Sequence, residues 1–551
     1  TPINLTNLNL GQYKDTNILL GTYLPILGST ANLIAWVENP NGNTDQNPYN
    51  DTITTSSLGC NRILKGDYTV GGASADFANI AQVFLELTTC GIDSNVTFNI
   101  LSGTYTENMS FDTLIPGMTT KDTITFTSQA KNADSVILKP TGVAISLSNV
   151  YNIVFKELTI DATNNGTYGI ALNNSCENIE INSCYIKLNT ALDTTGSNYA
   201  GIYKPSGTGV ANNIRILNNT IEGGTYNIYF YGGTGTSNYA NNIIIEGNTL
   251  KNAYRGGAYL YYNKLSSISN NTITSRLTGS SSAYYGLYIS HSNVKMVNAN
   301  KIHTPTTITT PYGIYAYYMN YYNASSAGLI SNNEIILRAS GANGHGMYCY
   351  YGKLNIYHNS IHIVTSAAAK GLYVYTSTTY PISIRQNNIG SSSSMAYPIY
   401  LTSLNGLTLN NNNYYGSYIG YINTGISNMS LWKMATGQDV NSTNINPNFV
   451  DVNVGLKTDG LGLTCVKNNE VQYDITGAAR GIITTVGAYN DFIILPYNIM
   501  PKTLESPALT ISSGVSDSIY VTIANMGANT ITFMNIHWQL NNGVKQTISW
   551  S

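Results

Sequence analysis

Charge is what this sequence has least of. Only 10% of its 551 residues are charged, against roughly 25% in an ordinary soluble domain. Its 26 Lys+Arg are thinly spread and the formal net charge is −2, so the basic footprint of a nucleic-acid-binding chain is missing. No run approaches the ~18 apolar residues that would propose a membrane helix. The opening Thr1-Pro2-Ile3-Asn4 reads as the interior of a domain rather than as a signal peptide, which places any export signal upstream. Six cysteines are too few for a disulfide-built fold, and without a C-x-x-C zinc is disfavoured. Phosphate-loop, dinucleotide and nucleophile-elbow patterns are also missing.

Carboxylates are scarce too. Between residues 150 and 430 they are Glu157, Asp161, Glu177, Glu180, Asp193, Glu222, Glu246 and Glu334. Cutting an acidic polysaccharide needs paired or clustered carboxylates with a basic residue, often with Ca²⁺. Most of these stand alone. Glu177 and Glu180 are close, but strand alternation over three residues sends them to opposite faces. The expectation is a chain with no catalytic site and no resident cofactor or metal.

What is abundant points elsewhere. Hydrophobic residues are 42%, with 50 Gly and 44 Tyr, enough apolar surface to rule against disorder. Plentiful Asn, Ser and Thr suit a β-rich chain that meets water with uncharged polar groups. The length asks for an elongated body or for several units.

Between about residues 145 and 415 two phrases alternate. One is Asn-rich: Asn218-Asn-Thr-Ile221, Gly247-Asn-Thr-Leu250, Asn270-Asn-Thr-Ile273, Asn332-Asn-Glu-Ile335, His358-Asn-Ser-Ile361. The other is Gly201-Ile-Tyr203, Gly286-Leu-Tyr288, Gly313-Ile-Tyr315, Gly346-Met-Tyr348, Gly371-Leu-Tyr373. Successive Asn phrases lie 23 to 35 residues apart, as rigid strands joined by tolerant turns would. Leucine-rich repeats need shorter, more regular steps, and propeller blades need longer ones. The predicted fold is all-β, a right-handed parallel β-helix of about eleven or twelve coils, roughly 50–60 Å long at ~4.8 Å per coil. Asn tolerates a left-handed corner, and its amide can bond the Asn one coil away; a sugar-contacting face is the other reading. Phe77, Ile80, Ala81, Phe84 and Leu87 at helical spacing predict an N-terminal cap helix.

Gly71-Gly-Ala-Ser-Ala-Asp-Phe77 followed by Val96-Thr-Phe-Asn-Ile100 resembles the opening of β-helix domains in large bacterial surface proteins. Trp432-Lys-Met-Ala-Thr-Gly-Gln-Asp439, Asn446-Pro-Asn-Phe449 and Asp474-Ile-Thr-Gly-Ala-Ala-Arg480 resemble their closing segment. This resemblance covers about residues 60 to 490 and speaks to fold more than to function. The two ends resemble halves of one immunoglobulin-like cell-adhesion-related sandwich. Residues 503–551 carry Ile531-Thr-Phe-Met-Asn-Ile-His-Trp538 and Gln546-Thr-Ile-Ser-Trp550; residues 1–59 carry Thr16-Asn-Ile-Leu-Leu20, Asn32-Leu-Ile-Ala-Trp36 and Asn39-Pro-Asn-Gly-Asn-Thr-Asp45. Read tail before head, Trp550-Ser551 runs into Thr1-Pro2, and the two halves together match the ~100 residues of such a sandwich. The predicted organisation is a C-terminal sandwich half at 1–59, linker and cap helix at 60–95, β-helix at 96–430, closing segment at 431–502 and an N-terminal sandwich half at 503–551.

Neither half would be stable alone, and the two are expected to leave opposite ends of the rod. Head-to-tail completion between copies is therefore expected, with Leu20, Ile34, Trp36, Ile536, Trp538 and Trp550 as the interface. The units are either separate chains or periods of one longer tandem-repeat chain. The Tyr-rich strands expose Tyr261, Tyr288, Tyr317 and Tyr350 as a stripe for sugars or another filament, unless Tyr simply stacks on Tyr. Asn41, Asn43, Asp45 and Asp51 offer oxygens to a Ca²⁺ ion, with Asx turns as the alternative. Cys60 with Cys90 and Cys176 with Cys184 are candidate disulfides, while Cys349 and Cys465 have no obvious partner. His358 and His362 are expected on one strand face, His345 at a corner, all as satisfied surface side chains. Thr52, Thr113, Thr123, Ser135 and Ser518 follow an acidic residue in a triplet that suits bacterial O-glycosylation. The functional expectation is a non-enzymatic extracellular or cell-surface fibre, adhesive through glycans or a host or neighbouring cell, or a stalk whose active tip lies elsewhere. A carbohydrate-binding or carbohydrate-cleaving β-helix is the alternative.

Overall fold

One coil shows why each repeat folds as it does. It has three short strands, Ala283–Ser290, a second one interrupted at Lys295 (Asn293–Val294 and Met296–Asn298), and Lys301–His303. Leu287, Ile289, Val297 and Ile302 point inward and are fully buried, while Tyr288 points out, the period-two alternation of a strand. In the next coil Ile314 pairs under Leu287, Tyr315 under Tyr288 and Ile335 under Ile302 by way of Lys301–Glu334 register. Like therefore stacks on like, and one face of the molecule is a 12-stranded parallel sheet. The fold is a right-handed parallel β-helix of about 12 turns in a nearly all-β chain. The computed structural model describes all residues except 1–8, 25, 27–28, 61, 165–166, 192–198, 208, 234, 236–237, 323, 460–461, 492–494, 507–512 and 526, and except the side chains of 58 and 502–506. Thr1, Pro2 and Asp193 thus lie outside the described residues.

The Asn doublet divides its two tasks. Its first position takes the left-handed corner, at Asn218, Asn270 and Asn332, and equally at Gly247, Ala299 and His358. Its second position points inward as a ladder of Asn219, Asn248, Asn271, Asn300, Asn333, Asn359, Asn387 and Asn412, all buried. Each amide donates to the next Asn Oδ1 at 2.9–3.0 Å. The same Oδ1 atoms also receive backbone N–H groups, so the corner leaves no polar group of the ladder dry and unpaired. Glycine in the other phrase is a matter of room. A Cβ on Gly286 would lie 2.4 Å from Ile302 Cγ2 and 2.6 Å from the Gly313 carbonyl.

Both ends of the solenoid are capped. Strand Leu64–Val70 already pairs in parallel with Ile92–Ile100, so the ladder begins upstream of residue 96. Helix α1 (Ile80–Thr89) is capped by Asn79, which accepts from the Gln82 N–H, and buries Ile80, Val83 and Leu87. Ala81 faces solvent, contrary to expectation, because the helix begins at Ile80 and Phe77 precedes it. At the other end helix α2 (Met429–Thr436) lays the fully buried Trp432 across the last coil. Trp432 Nε1 donates to Asp439 Oδ2 at 2.8 Å, and Asp439 Oδ1 accepts the last amide of the Asn ladder, Asn412, at 3.3 Å.

Beyond Ser442 the chain turns back along the outside of the 12-stranded sheet. The Gly487 N–H donates to the Gln386 carbonyl at 2.7 Å, Ala488 N–H to Ser360 Oγ at 2.9 Å and Tyr489 OH to Glu334 Oε2 at 2.6 Å. Buried Arg480 donates to Asn332 Oδ1 and the Gly487 and Ala488 carbonyls at 2.9–3.0 Å. Tyr489 therefore lies on the flank of the rod, beside the fourth strand from the sheet's edge, and not at the end of the rod.

At the termini the described residues form three separate antiparallel ribbons: Thr30–Trp36 with Thr52–Leu58, Ile499–Ser506 with Tyr520–Asn525, and Met534–Trp538 with Gln546–Trp550. None of their described side chains joins a buried core. Thr16-Asn-Ile-Leu-Leu20 belongs to no strand among the described residues.

Candidate functional sites: terminal ribbons, tyrosine rows and buried polar groups

The tail ribbon 534–550 is strictly two-sided. Ile536 lies opposite Ile548, and Met534 opposite Trp550, with Trp538 on the same face. Trp538, Ile548 and Trp550 are 39%, 58% and 49% exposed. The reverse face is polar and self-satisfied: His537 Nδ1 meets Thr547 Oγ1 at 2.8 Å, and Ser549 donates to Asn535 at 2.7 Å. Such a face is an aggregation hazard unless something covers it. In the head ribbon, Ile34 and Trp36 share one face opposite Thr54 and Thr52, with Trp36 65% exposed. Leu33 and Ile53 occupy the reverse face. Leu20, Tyr23, Leu33, Ile34 and Ile53 line an apolar groove of about 530 Å³. All six expected interface residues thus lie on ribbons or in this groove, and only Ile536 is half-buried within its own ribbon.

Outside the solenoid the tyrosines form rows. The longest runs Tyr168, Tyr203, Tyr229, Tyr259, Tyr288, Tyr315, Tyr348, Tyr373, Tyr400, Tyr421, with ring centroids 4.0–5.6 Å apart and neighbouring planes within 28°. A second row holds Tyr231, Tyr261, His291, Tyr317, Tyr350 and Tyr375 at 4.8–5.6 Å. The strand register sets this spacing, and aromatic stacking of this kind adds about 0.5–1.5 kcal/mol per pair beyond burial. Tyr261, Tyr288, Tyr317 and Tyr350 are each sandwiched between rings above and below. The ring faces of Tyr261, Tyr288 and Tyr350 are covered, while Tyr317 stacks on Tyr350 and meets His291 at 59°. Burial, and then the neighbouring phenols, push Tyr315 upward, so its hydroxyl stays protonated.

The carboxylates are engaged locally. Glu157 accepts from Thr127 at 2.8 Å, Asp161 from Lys139 at 3.0 Å, Glu180 meets Arg215 at 3.1 Å, Glu222 meets Lys251 at 3.2 Å and Glu246 accepts from Ser269 at 3.0 Å. Glu177 and Glu180 do not face opposite ways. The left-handed Asn178 between them resets the alternation, so both point outward while Cys176, Ile179 and Ile181 point in. Sequence reasoning missed the role of Glu334. It is fully buried, bonded to His303 Nε2 at 2.9 Å, the Leu456 N–H at 2.7 Å and Tyr489 OH at 2.6 Å. Burial alone would raise its carboxyl, but the bonds from His303, Leu456 and Tyr489 outweigh it and hold the group below the usual glutamate range.

Several smaller expectations change. His345, His358 and His362 are buried, not surface groups. His345 heads a strand and stacks on Tyr312, His358 holds a corner, and His362 lies on the outer sheet face beneath Phe449. All six cysteines are free thiols. Cys176 and Cys184 donate to different carbonyls of the preceding coil, Leu147 and Phe155. Cys60 lies against Cys90, and burial, then this neighbour, push it up to about 11. Asp45 accepts from the Asn47 N–H at 2.8 Å in an Asx turn, and Asn43 donates to the Asn41 carbonyl at 3.4 Å. Among the described residues no three His, Cys, Asp or Glu side chains gather at one point, and no helix is long and apolar enough to cross a membrane. Thr52, Thr113 and Ser518 are exposed; Thr123 and Ser135 are half-buried.

Comparison with protein-family models, with curated proteins and with solved structures returns no match for this chain.

Proposed function

We propose that this chain is a structural unit of an extracellular, adhesive bacterial surface fibre, and that its ribbons complete one another head to tail as an immunoglobulin-like sandwich. One observation carries the reading: the exposed apolar faces of Trp538, Ile548 and Trp550 in the tail and of Ile34 and Trp36 in the head. A two-stranded ribbon is marginal in water, and packing two such faces together removes both from solvent. The contact is heterologous, so it propagates. The β-helix then serves as a stiff spacer, a scaffold rather than an enzyme, whose carboxylates already hold coil to coil. Low charge and a surface of Asn, Ser, Thr and Tyr suit an exported fibre.

The test uses two variants of the whole chain, Trp36→Arg in the head and Trp550→Arg in the tail. The unmodified chain should grow with concentration in light scattering and show strings of rods in electron micrographs. Each variant alone should stop growing, and their mixture should stop at dimers, since one sound head still meets one sound tail. A monodisperse monomer at every concentration, with both ribbons protected from hydrogen exchange, overturns the proposal. Denaturing electrophoresis of the native fibre distinguishes its two forms: a band near 59.6 kDa means separate chains, a far larger one a tandem-repeat chain.

A further inference from the structure

Of the six thiols only Cys60 is open to solvent; the other five are buried. Cys60 follows the head ribbon directly, since the Gly59 N–H still donates to the Ser29 carbonyl at 2.9 Å. From there the chain runs along the end of helix α1 and is held to it at alternate residues. Cys60 Sγ donates to the Thr89 carbonyl at 3.3 Å, Arg62 Nε meets Glu86 Oε2 at 3.1 Å, and the Leu64 N–H donates to the Gly91 carbonyl at 3.0 Å. The Arg62 guanidinium also lies over the Tyr68 and Phe77 rings, at 4.6 and 4.7 Å from their centroids.

The second sulfur is fixed from the other side. Cys90 is the C-terminal cap residue of α1, and its N–H donates to the Glu86 carbonyl at 2.8 Å. Gly91 then turns left-handed at φ +72°, where a Cβ would lie 2.0 Å from the Pro116 carbonyl oxygen, so the backbone leaving Cys90 is closely confined. These contacts bring the Cys60 thiol into hydrogen-bond contact with the Cys90 thiol. Cys176 and Cys184 are different: each donates to a carbonyl of the preceding coil, Leu147 and Phe155.

We infer that Cys60 and Cys90 are a disulfide-forming pair, oxidised by a low-molecular-weight disulfide, and that the bridge staples the exit of the head ribbon to the N-terminal cap of the rod. The exposed Cys60 sulfur attacks first. The S–S bond of the small disulfide breaks, one small thiol leaves with the proton from Cys60, and a mixed disulfide remains on Cys60. Cys90 Sγ then attacks Cys60 Sγ, and the second small thiol leaves with the Cys90 proton. Two electrons pass from the two cysteines to the small disulfide, which is reduced to two thiols. Burial, then the Cys90 thiol and the Glu86 carboxylate, push Cys60 up to about 11. Little thiolate is present at neutral pH, so the first step is slow there and quickens as pH rises.

The experiment equilibrates the reduced whole chain in a glutathione redox buffer, alkylates it after unfolding, and reads intact mass and a peptide map. Loss of two hydrogens, one cross-linked peptide pair carrying Cys60 and Cys90, and four alkylated thiols are expected, at a rate that climbs with pH. On oxidation the Leu64, Cys90 and Gly91 amides should exchange more slowly by about tenfold or more. Cys60→Ser should abolish the bridge, and Cys90→Ser should stop at a glutathione adduct on Cys60; if Cys90→Ser misfolds, the more exposed Cys60→Ser carries the same reading. Six alkylated thiols at equilibrium with excess glutathione disulfide, a bridge between any other pair, or a lasting adduct on Cys60 in the unmodified chain overturns the inference. The mass readout is the same for single units and for fibres, so this proposal and head-to-tail assembly fail separately.

Discussion

The rod and the ribbons are built from the same residue types and meet opposite fates. Ile268 and Trp432 in the rod are 0% exposed, while Ile548 and Trp550 in the tail ribbon are 58% and 49% exposed. Both regions alternate apolar and polar residues along their strands. The rod closes three strands around one core and stacks each coil on the next, so inward side chains are covered and most strands have a parallel partner on both edges. A ribbon has two strands, two open edges and apolar side chains with no third element to cover them. Alternation makes a strand two-sided; only a third element decides whether its apolar side is covered.

That contrast can be broken from the rod first. Asn300→Ala removes the acceptor of Asn271 and the donor to Asn333, leaving two or three buried polar groups unpaired at ~1–3 kcal/mol each, a loss of about 3–5 kcal/mol. Chemical denaturation followed by circular dichroism should show it, with increased hydrogen exchange spreading from that coil. Acid comes next. Because Glu334 has a depressed carboxyl in the folded chain, its contribution is fully present above the unfolded value of ~4.3 and is lost as pH falls through the folded one. The amides of Leu456, Gly487 and Ala488 should therefore lose exchange protection at acid pH before those of the Asn ladder. Glu334→Gln should abolish that order.

Smaller effects sharpen the comparison. Tyr315→Ala removes one ring from the middle of the ten-membered row and should cost about 1–3 kcal/mol, whereas Tyr315→Phe keeps the stack and should be nearly neutral; thermal unfolding separates the two. Trp538→Ser should change unfolding of the rod by less than ~0.5 kcal/mol yet end concentration-dependent growth in light scattering. If Trp538→Ser destabilised the rod as Asn300→Ala does, the ribbon would belong to the rod's core and the contrast would fail.

Much of the rod was legible because its information is local. The Asn-Asn-Thr-Ile and Gly-Ile-Tyr phrases mark corner and strand within a few residues. The split of the doublet into a left-handed Asn218 and a buried Asn219 was not, since either position tolerates Asn and only the inward turn separates them. Glu177 and Glu180 were misread for a related reason: one left-handed residue, Asn178, undoes strand parity. His362 and Glu334 were illegible as buried groups because what buries them, Phe449, Leu456 and Tyr489, arrives 87 to 155 residues later along the chain.

The sequence by itself determined the coil: period-two alternation and corner residues specify three short strands per turn, and an apolar inner set that repeats makes coils stack in register. The tertiary structure decided what lies on the outside of those coils. The return of the closing segment, the stacked tyrosines and the placing of Tyr489 on the flank beside Glu334 all depend on contacts between residues far apart. No local pattern encodes them, because burial of an outward-facing residue is a property of whatever chain arrives to cover it.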